Sequence, residues 1–304
     1  MDRIVNDHRP ITADIFLDNY CNNNCGYCVF KRWEFDEDAE SMSYEDFVRY
    51  ADRLKKLGVL GFILSGGGEP TIAKDFDKIA AYLDDNDFKW GINTNFNRYV
   101  RCNPDYLKVS LDAWDEDSYE KVRGVRAYKQ VLENISRFAS RKSAKTKLGI
   151  QLIATNPEDV NKFYEANKNL PVDYMVIRPV ESTDGYYYKT DESKADVTAI
   201  LNVIKCLQQE DPRVVMNFKW EMLGRKFRKC EGQWSQMAVN WLGEVMYCCH
   251  KPYEIIGHVM DDDILAKKML ATTDMAMCDI PCRLTSVNSI LETVNSEQTN
   301  VEFI

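Results

Sequence analysis

The sequence lacks any apolar run long enough to cross a bilayer, since no stretch approaches the roughly 20 apolar residues of a transmembrane helix. Its start, MDRIVNDHRP, carries charges of both signs and has no apolar core, so it resembles neither a signal peptide nor a membrane anchor. These absences argue against a membrane protein and a secreted protein. They predict a cytoplasmic protein, whose thiols stay reduced.

An excess of basic residues is also absent. The chain has 39 lysines and arginines against 48 aspartates and glutamates, which gives a formal net charge of −9. Nucleic-acid phosphates bind to basic surfaces, and no block of lysine and arginine occurs here, so free DNA or RNA is not an expected partner. The charge balance favours an uncharged or cationic substrate.

Internal repeats and low-complexity segments are missing too, whereas cysteine is plentiful. The 304 residues suffice for one barrel-sized domain and a small appendage. Ten cysteines in a reducing compartment indicate metal binding or chemistry rather than disulfides. Most of them fall into two groups along the chain, but Cys102 and Cys206 stand apart and are interpreted as core thiols.

Short β-rich runs alternate with amphipathic helical stretches from Ile11 to about Val180, which is typical of successive βα units around a parallel sheet. Most of these runs are apolar along their length, as expected of strands that are buried on both faces. Six strands are predicted, at residues 11–18, 61–67, 88–95, 106–113, 147–155 and 174–181.

Two helices are predicted with particular clarity. Ser43 is the expected N-cap of the first, which should end at Gly58. The second should cover residues 191–209. Asp211-Pro212 then breaks the pattern. The expected units are a core at 1–212, a cysteine-rich domain at 213–290 with a hairpin in MAVNWLGEVMYCC, and a tail at 291–304.

Three cysteines, Cys21, Cys25 and Cys28, follow the first predicted strand at a Cys-x3-Cys-x2-Cys spacing. In a parallel βα architecture this position is the ligand-binding edge of the sheet. Three thiolates can hold three irons of a [4Fe–4S] cluster and leave the fourth iron open to a chelating ligand. A structural zinc site would instead need a fourth ligand nearby.

This spacing, with Tyr27 just before the third cysteine, resembles the radical S-adenosylmethionine (radical SAM) superfamily. The segment SGGGEP that closes the second predicted strand is similar to the family's glycine-rich motif. The resemblance implies an α/β fold with a partial (β/α)6 TIM-like barrel. It also implies an enzyme that uses a [4Fe–4S] cluster and S-adenosylmethionine.

The resemblance also implies roles for the glycine-rich motif. Gly66, Gly67 and Gly68 would let the cofactor approach the backbone, and the anionic Glu69 would receive the methionine amino group. Considered alone, the same segment is typical of a simple turn.

Further matches follow at later strand ends. Asn95, Ser110 and Asp112 resemble the segments that contact the ribose or methionine of the cofactor, although Ser110 could instead be a buried cap. Arg123 resembles a family arginine that pairs with the methionine carboxylate, and the alternative is an exposed helix arginine. Arg178 is a further candidate for cofactor or substrate contact.

The second cysteine group lies near the carboxyl terminus. The expected ligands of an auxiliary [4Fe–4S] cluster are Cys230, Cys248, Cys278 and Cys282, with Cys249 able to replace Cys248. The pattern resembles the SPASM or twitch domain of some radical SAM enzymes. The alternative is a zinc site built from the same four thiolates, which the neighbouring His250 favours slightly.

For function, the resemblance implies reduction of the first cluster by a donor such as flavodoxin or ferredoxin and cleavage of S-adenosylmethionine to methionine and a 5′-deoxyadenosyl radical. The radical would take a hydrogen atom from a small-molecule or peptide substrate. An auxiliary cluster could then accept an electron, which favours an oxidation.

Three alternatives stay open. The first is maturation of a ribosomally made peptide by crosslinking or epimerisation, although the roughly ten residues before the first strand leave no room for a leader-binding domain. The second is a redox-neutral isomerisation of a sugar, nucleoside or amino-acid derivative, with Cys249 returning a hydrogen atom. The third is a zinc-binding scaffold without enzyme activity.

Overall fold

The structure, a computed structural model, describes residues 9–28, 30, 40–86, 88–180, 191–223, 227–275, 278 and 282–295. Its strands are β1 Thr12–Phe16, β2 Gly61–Ser65, β3 Trp90–Thr94, β4 Tyr106–Ser110, β5 Lys147–Ile153, β6 Tyr174–Arg178, β7 Val214–Met216, β8 Gln236–Val239, β9 Glu244–Cys248 and β10 Lys251–His258. Its α-helices are α1 Tyr44–Leu57, α2 Phe76–Asp85, α3 Glu116–Arg123, α4 Tyr128–Ala139, α5 Pro157–Asn167, α6 Asp191–Glu210, α7 Ile264–Leu270 and α8 Thr285–Asn295.

The strands form one sheet in the order β10-β9-β8-β1-β2-β3-β4-β5-β6-β7. Neighbours from β8 through β7 pair in parallel, whereas β8, β9 and β10 pair antiparallel. Each of the six predicted strands is present within its predicted range. The prediction of an α/β fold with a parallel sheet is therefore confirmed.

The sheet extends beyond the predicted core. Strand β7 lies after residue 212 and pairs with β6, while β8 pairs in parallel with β1 at the other side. The predicted hairpin is formed by β8 and β9. The segment assigned to the cysteine-rich domain therefore contributes strands on both flanks of the six predicted ones, and the division into domains stays a prediction.

Helix α1 has the predicted ends. The Ser43 hydroxyl accepts a hydrogen bond from the backbone N–H of Asp46, and Gly58 adopts a left-handed φ of 109° that closes the helix. Helix α6 agrees with the second predicted helix within one residue.

Among the described residues, no helix combines the length and apolar character needed to span a membrane.

The two isolated cysteines have different environments. Cys102 is buried in the core, as predicted, but Cys206 is exposed. Among the described side chains of α6 the buried ones are Ile200, Ile204 and Leu207, and a residue two positions after Ile204 points about 200° away from it around the helix. The interpretation of Cys206 as a core thiol is therefore wrong.

The two faces of the sheet differ in polarity. On one face, side chains such as Leu64, Leu107 and Ile150 are fully buried in the apolar core that also includes the helices. On the other face the alternating positions carry polar side chains, among them Asp14 and Gln151. Because parallel strands end at a common edge, the loops after β1, β2, β3 and β4 meet above this polar face.

Candidate functional site

The glycine-rich motif after β2 packs directly against the cysteine loop. An added Cβ atom would collide with the Phe30 ring at Gly66 (2.6 Å), with the Asp18 carbonyl oxygen at Gly67 (2.6 Å) and with the Tyr20 carbonyl oxygen at Gly68 (1.8 Å). Gly67 also has a positive φ of 95°, and the N–H of Glu69 donates to the Tyr20 carbonyl at 2.7 Å. The glycines are therefore needed where the motif holds the start of the cysteine loop, and a simple turn does not explain them.

Glu69 is buried beneath this contact, with 3% of its surface exposed. One carboxylate oxygen accepts hydrogen bonds from the Thr71 hydroxyl (2.6 Å), the Thr71 N–H (3.2 Å) and the Thr94 hydroxyl, and the other accepts the N–H of Asn95 at 2.7 Å. Burial raises the pKa of Glu69, and these hydrogen bonds oppose that rise. The motif thus fixes a buried carboxyl group between β2 and β3.

A second buried carboxyl group lies next to it. Burial, together with the charge of Glu69, raises the pKa of Asp18 to about 8. Within the described part of the chain, Oδ1 of Asp18 is buried and has no hydrogen-bond partner. Asp18 was not predicted as a site residue, because an aspartate after an apolar strand carries no sign of what it will face.

The three thiols predicted as ligands of the first cluster are half-buried in the loop after β1: Cys21, Cys25 and Cys28. The Cys21 sulfur accepts the N–H of Asn23 at 3.4 Å and the side-chain amide of Asn95 at 3.8 Å. The Cys25 sulfur accepts from Nη1 of Arg123 at 3.4 Å. Burial raises the pKa of Cys21 to about 12, and N–H donors of this kind favour the thiolate form that binds metal.

Asparagines hold the cysteine loop in place. The amide of Asn95 donates to Asn22 at 2.7 Å, and the amide of Asn97 donates to Asn23 at 2.6 Å. The Tyr119 hydroxyl in turn donates to Asn97 at 2.9 Å. The loop after β3 and helix α3 therefore fix the cysteine loop. Only Asn95 was predicted as a site residue, because the contact between these loops is not visible in the sequence.

Asp112, just after β4, is the centre of a buried polar group. Its φ of 53° is left-handed, which aspartate tolerates better than most residues. One carboxylate oxygen accepts the N–H of Ile153 at 2.6 Å, and the other accepts from the Tyr27 hydroxyl at 2.9 Å and from Arg123. Tyr27, Asp112 and Arg123 are thus brought together as one group.

Arg123 ends α3 with only 6% of its surface exposed, so the alternative of an exposed helix arginine is wrong. Its guanidinium forms an ion pair with Asp112. Its Nε is buried and lacks a hydrogen-bond partner among the described residues. The sequence expectation named a cofactor carboxylate as its partner, and the structure adds a carboxylate from the chain itself.

The remaining predicted residues of this edge lie on β4 and β6. Ser110 is half-buried at the end of β4 and pairs in register with Gln151 of β5. The Arg178 side chain, at the end of β6, donates to Gln151 at 3.2 Å. Burial lowers the pKa of Arg178. Both residues therefore face the edge that carries the cysteine loop.

All five cysteines of the second group line one small cavity. Phe227, Tyr247 and His250 also line it. The structure therefore brings together the residues that the sequence assigned to an auxiliary site: Cys230, Cys248, Cys249, Cys278 and Cys282.

Cys248 and Cys249 have different neighbours. Burial raises the pKa of Cys248 to about 12, and the charges that act on it include those of two other cysteines of the cavity. Burial also raises the pKa of Cys249, and two cysteines of the cavity act on it as well, but the largest charges on this thiol are those of Asp14 and of Arg283, which lies 3.9 Å from its sulfur. Cys249 is thus directed toward the polar face of the sheet.

Donors surround the sulfurs of the cavity. The Cys230 sulfur accepts the Asn288 amide at 3.4 Å, and the Cys282 sulfur accepts the N–H of Leu284 at 3.3 Å. Lys268 is completely buried, and its ammonium donates to the backbone carbonyls of β9. The sequence analysis missed Lys268, since a lysine on a short helix ordinarily faces solvent.

The described residues do not form a site for a single metal ion. Among the described residues, no three histidine, cysteine, aspartate or glutamate side chains converge closely enough to hold one metal ion. A cubane cluster is wider than a single ion, and its thiolates bind different irons, so they need not converge on one point.

Comparison with known proteins gives the family. The model of the Radical SAM superfamily matches residues 15–167, which is half of the chain. The chain belongs to the radical SAM superfamily. It is therefore an enzyme of a family that uses a [4Fe–4S] cluster and S-adenosylmethionine, as predicted, and the thiol loop with its sulfur-directed donors fits such a cluster.

Relatives and solved structures agree with this assignment. A "Probable GTP 3′,8-cyclase" of Saccharolobus islandicus (strain M.14.25 / Kamchatka #1) is 28% identical over 167 residues, which cover 52% of this chain and 53% of that protein. The corresponding protein of Saccharolobus solfataricus is also 28% identical, over 166 residues. The matched region thus spans only about half the length of these curated relatives.

Two solved structures share the fold. Streptococcus suis SuiB bound to S-adenosylmethionine aligns with a TM-score of 0.63 and 16% identity, covering 90% of this chain and 69% of SuiB. The structure titled "Native anSMEcpe with bound AdoMet" aligns with a TM-score of 0.65 and 17% identity, covering 89% and 83%. At this identity the likeness shows the fold alone, the partial barrel of radical SAM enzymes.

Proposed function

We propose that this radical SAM enzyme oxidises a small-molecule or peptide substrate, with a first cluster held by Cys21, Cys25 and Cys28 and an auxiliary cluster in the cavity at the other end of the chain. When bound and reduced, the first cluster supplies the electron that splits S-adenosylmethionine into methionine and a 5′-deoxyadenosyl radical. The observation that carries the proposal is the pair of separate thiol sites, one with three cysteines and one with five.

The contacts around the first site support specific roles. Asn23, Asn95 and Arg123 donate to the cysteine sulfurs, so they would orient the thiolates and favour their ionised form. Their hydrogen bonds also hold the loop in one geometry before the cluster binds. Ordering of the loop in advance reduces the entropy cost of assembling the site.

The two buried carboxyl groups support a site for the methionine amino group. Glu69 has one oxygen that accepts a hydrogen bond from Asn95 alone among the described residues, and Asp18 has a buried oxygen without a partner among them. An ammonium group donates up to three hydrogen bonds. Its positive charge would stabilise the ionised form of the two adjacent carboxyl groups. We assign Arg123 to the methionine carboxylate, because its Nε is an unused donor within the described residues.

For the auxiliary site we assign Cys230, Cys248, Cys278 and Cys282 as ligands. Four thiolates complete the coordination of a [4Fe–4S] cluster, so this cluster would leave no iron open. In an oxidation it would accept the electron that remains on the substrate after hydrogen-atom removal. Cys249 is left out, since its sulfur is directed toward Asp14 and Arg283.

Cys249 supports a second candidate function, a redox-neutral isomerisation. A hydrogen-atom donor must keep its S–H proton, and burial and the charge of Asp14 raise the pKa of this thiol. In that reaction the S–H bond of the thiol would break as its hydrogen atom passes to the substrate radical, and one electron from the external reductant and one proton would then restore the thiol from the thiyl radical. Peptide maturation is compatible with either chemistry, and a structure of SuiB is described as bound to its precursor peptide SuiA.

The test is anaerobic reconstitution with iron and sulfide, followed by reduction and addition of S-adenosylmethionine. The proposal predicts about eight irons per chain and the formation of 5′-deoxyadenosine. Zinc without iron, or no 5′-deoxyadenosine, would overturn it and favour the zinc scaffold. Once a substrate is found, a product two mass units lighter supports oxidation, whereas an unchanged mass supports isomerisation.

The choice between the adjacent cysteines has its own test. Cys248→Ala is expected to lower the iron content by about four per chain, whereas Cys249→Ala should keep both clusters. The opposite result would exchange the two assignments. Isomerisation further requires that Cys249→Ala stop product formation while 5′-deoxyadenosine still forms.

A further inference from the structure

Strand β4 carries a lysine in the middle of the sheet. Along β4 the buried side chains Leu107 and Val109 face the helices, while Tyr106, Lys108 and Ser110 alternate with them on the polar face. An ammonium group in the middle of a parallel strand is rare, because desolvation disfavours its charge. Its position therefore calls for an explanation other than folding.

Two tyrosine rings lie on the polar face of the sheet near Lys108. A Cβ atom at Gly91 would lie 2.0 Å from the Tyr106 ring, and one at Gly149 would lie 2.1 Å from the Tyr174 ring. The two rings thus lie across glycines of the neighbouring strands. Gly149 pairs in register with both Lys108 and Tyr174, so the lysine stands next to this aromatic layer.

Lys108 also lies close to the cofactor edge. It is two residues before Ser110, the last residue of β4, and two residues along a strand span about 6.6 Å. The cysteine loop is at that same edge, as the contacts of Asp112 with Tyr27 show. A molecule resting on Lys108 would therefore extend toward the site of the 5′-deoxyadenosyl radical.

When Lys108 itself is counted, the cationic groups that interact at this position outnumber the anionic ones by three to two. The charges that act on it come from Arg178 on β6, Asp112 after β4, Arg283 before α8 and Asp14 on β1. Both carboxylates already form ion pairs, Asp14 with Arg283 and Asp112 with Arg123. The Lys108 ammonium itself makes no hydrogen bond or ion pair with a described residue.

We propose that this polar face binds an anionic group of the substrate, a carboxylate or a phosphate, with Lys108 as its principal contact and Arg178 beside it. The inference rests on the proposed function and adds the substrate class. An anion would offset the local excess of positive charge and supply the acceptor that Lys108 lacks among the described residues. The net charge of the chain, which favoured an uncharged or cationic substrate, does not describe the charge at this face.

The pKa of Lys108 supports the same view. Burial and the charge of Arg178 lower it to about 7, so a bound anion would raise it again. Anion binding at pH 8 should therefore take up protons, since the free lysine is largely neutral there and the bound one is charged.

The test is calorimetric titration of the reconstituted protein with two probes, succinate for a carboxylate and inorganic phosphate for a phosphate. At least one probe should bind, and Lys108→Met should weaken it by about tenfold or more. Lys108→Arg, which keeps the charge, should weaken it less. The matched control is Lys129→Met, on the exposed side of α4, which should bind as the wild type does.

Each outcome of these titrations either supports or overturns the inference. Whichever probe binds identifies the anion, whereas binding of neither, or equal binding by wild type and Lys108→Met, overturns the inference. Should Lys108→Met fail to fold, the wild type is titrated with succinate at pH 8 in two buffers of different ionisation enthalpy. Absence of proton uptake in that experiment contradicts the inference. Formation of 5′-deoxyadenosine without any substrate is measured separately, so a failure of the proposed function would be recognised as such.

Discussion

The two cysteine sites of this chain differ in what surrounds the sulfur atoms. At the first site three thiols lie in a loop that asparagines and an arginine hold, and two buried carboxyl groups lie beneath it. At the second site five thiols share one cavity, and the cationic groups of the chain that act on the sulfurs include the buried Lys268 and Arg283.

The difference indicates that the polar groups around a cluster site depend on whether the cluster binds a further ligand. A cluster with too few thiolates needs another ligand, and the unused donors and acceptors near the first site are suited to such a ligand. A cluster with enough thiolates needs only enclosure and charge compensation, which the second cavity and Lys268 offer.

The largest expected effect separates the two sites by cysteine deletion. Loss of a hydrogen-bond partner of a metal ligand lowers activity by up to roughly 100-fold. Cys25→Ala should lower 5′-deoxyadenosine formation by more than this, because it removes a ligand itself. Cys282→Ala should remove about four irons and keep 5′-deoxyadenosine formation. Iron analysis and chromatography of the nucleoside measure both effects.

The exposed Cys206 provides the control, since Cys206→Ala should change neither iron content nor nucleoside formation. Equal loss of 5′-deoxyadenosine in Cys25→Ala and Cys282→Ala would contradict the division of roles between the sites.

The next effect concerns stability around the first site. Arg123→Met leaves the buried Asp112 without its cationic partner, which should cost about 3–5 kcal/mol of unfolding free energy. Arg126→Met removes an arginine whose ion pairs with Asp117 and Glu120 are exposed, so its effect should be small. Urea denaturation of both variants measures the difference, and equal stabilities would contradict a buried pair at this position.

Much of this arrangement was predictable from the sequence. The six strands, the caps of α1 and the cysteine loop follow from local patterns, because alternation, capping residues and cysteine spacing are each encoded within a few neighbouring positions. The convergence of the second cysteine group was likewise predictable, since its members share one chemical role.

What could not be predicted depends on pairing across the fold. The local pattern identifies the hairpin of β8 and β9, but it does not show that β8 pairs with β1 or that the short strand β7 pairs with β6, because these partners lie far away along the chain. The same holds for the buried Asp18 and Lys268 and for the half-buried Lys108, whose surroundings are decided by strands and loops that are distant in sequence. Charged residues of this kind look like ordinary surface residues until the fold is known.

A smaller effect concerns the dependence of stability on pH at the first site. Asp18 has a folded pKa of about 8, raised above that of the unfolded chain, so the unfolded state loses this proton first as the pH rises. Stability should therefore fall between pH 5 and 7, by about 2.7 kcal/mol from this group alone. Asp18→Asn, which cannot titrate, should flatten that part of the profile.

Urea unfolding of the protein without cluster, measured at several pH values, checks this expectation. Asp85→Asn, at the exposed end of α2, is the control and should keep the wild-type profile. An unchanged slope in Asp18→Asn would show that the carboxyl group beside Glu69 is ionised in the folded protein.

The smallest effect concerns charge compensation at the second site. The charge of Lys268 acts on Cys248, Cys230 and Cys249, and burial lowers its own pKa to about 8. Lys268→Met removes a positive charge next to a cluster that becomes more negative on reduction, so the auxiliary reduction potential should fall by roughly tens of millivolts. The potential of the first cluster should not change.

Lys267→Met is the matched control, because Lys267 is the adjacent residue of α7 and its ammonium pairs with Asp261 and Asp263 at the surface. Redox titration followed by electron paramagnetic resonance resolves the two clusters. If Lys268→Met and Lys267→Met left the auxiliary potential equally unchanged, the buried lysine would serve β9 through its carbonyl bonds alone. If only Lys268→Met lowers the auxiliary potential, the second site differs from the first by the buried charge of Lys268 as well as by the number of its thiols.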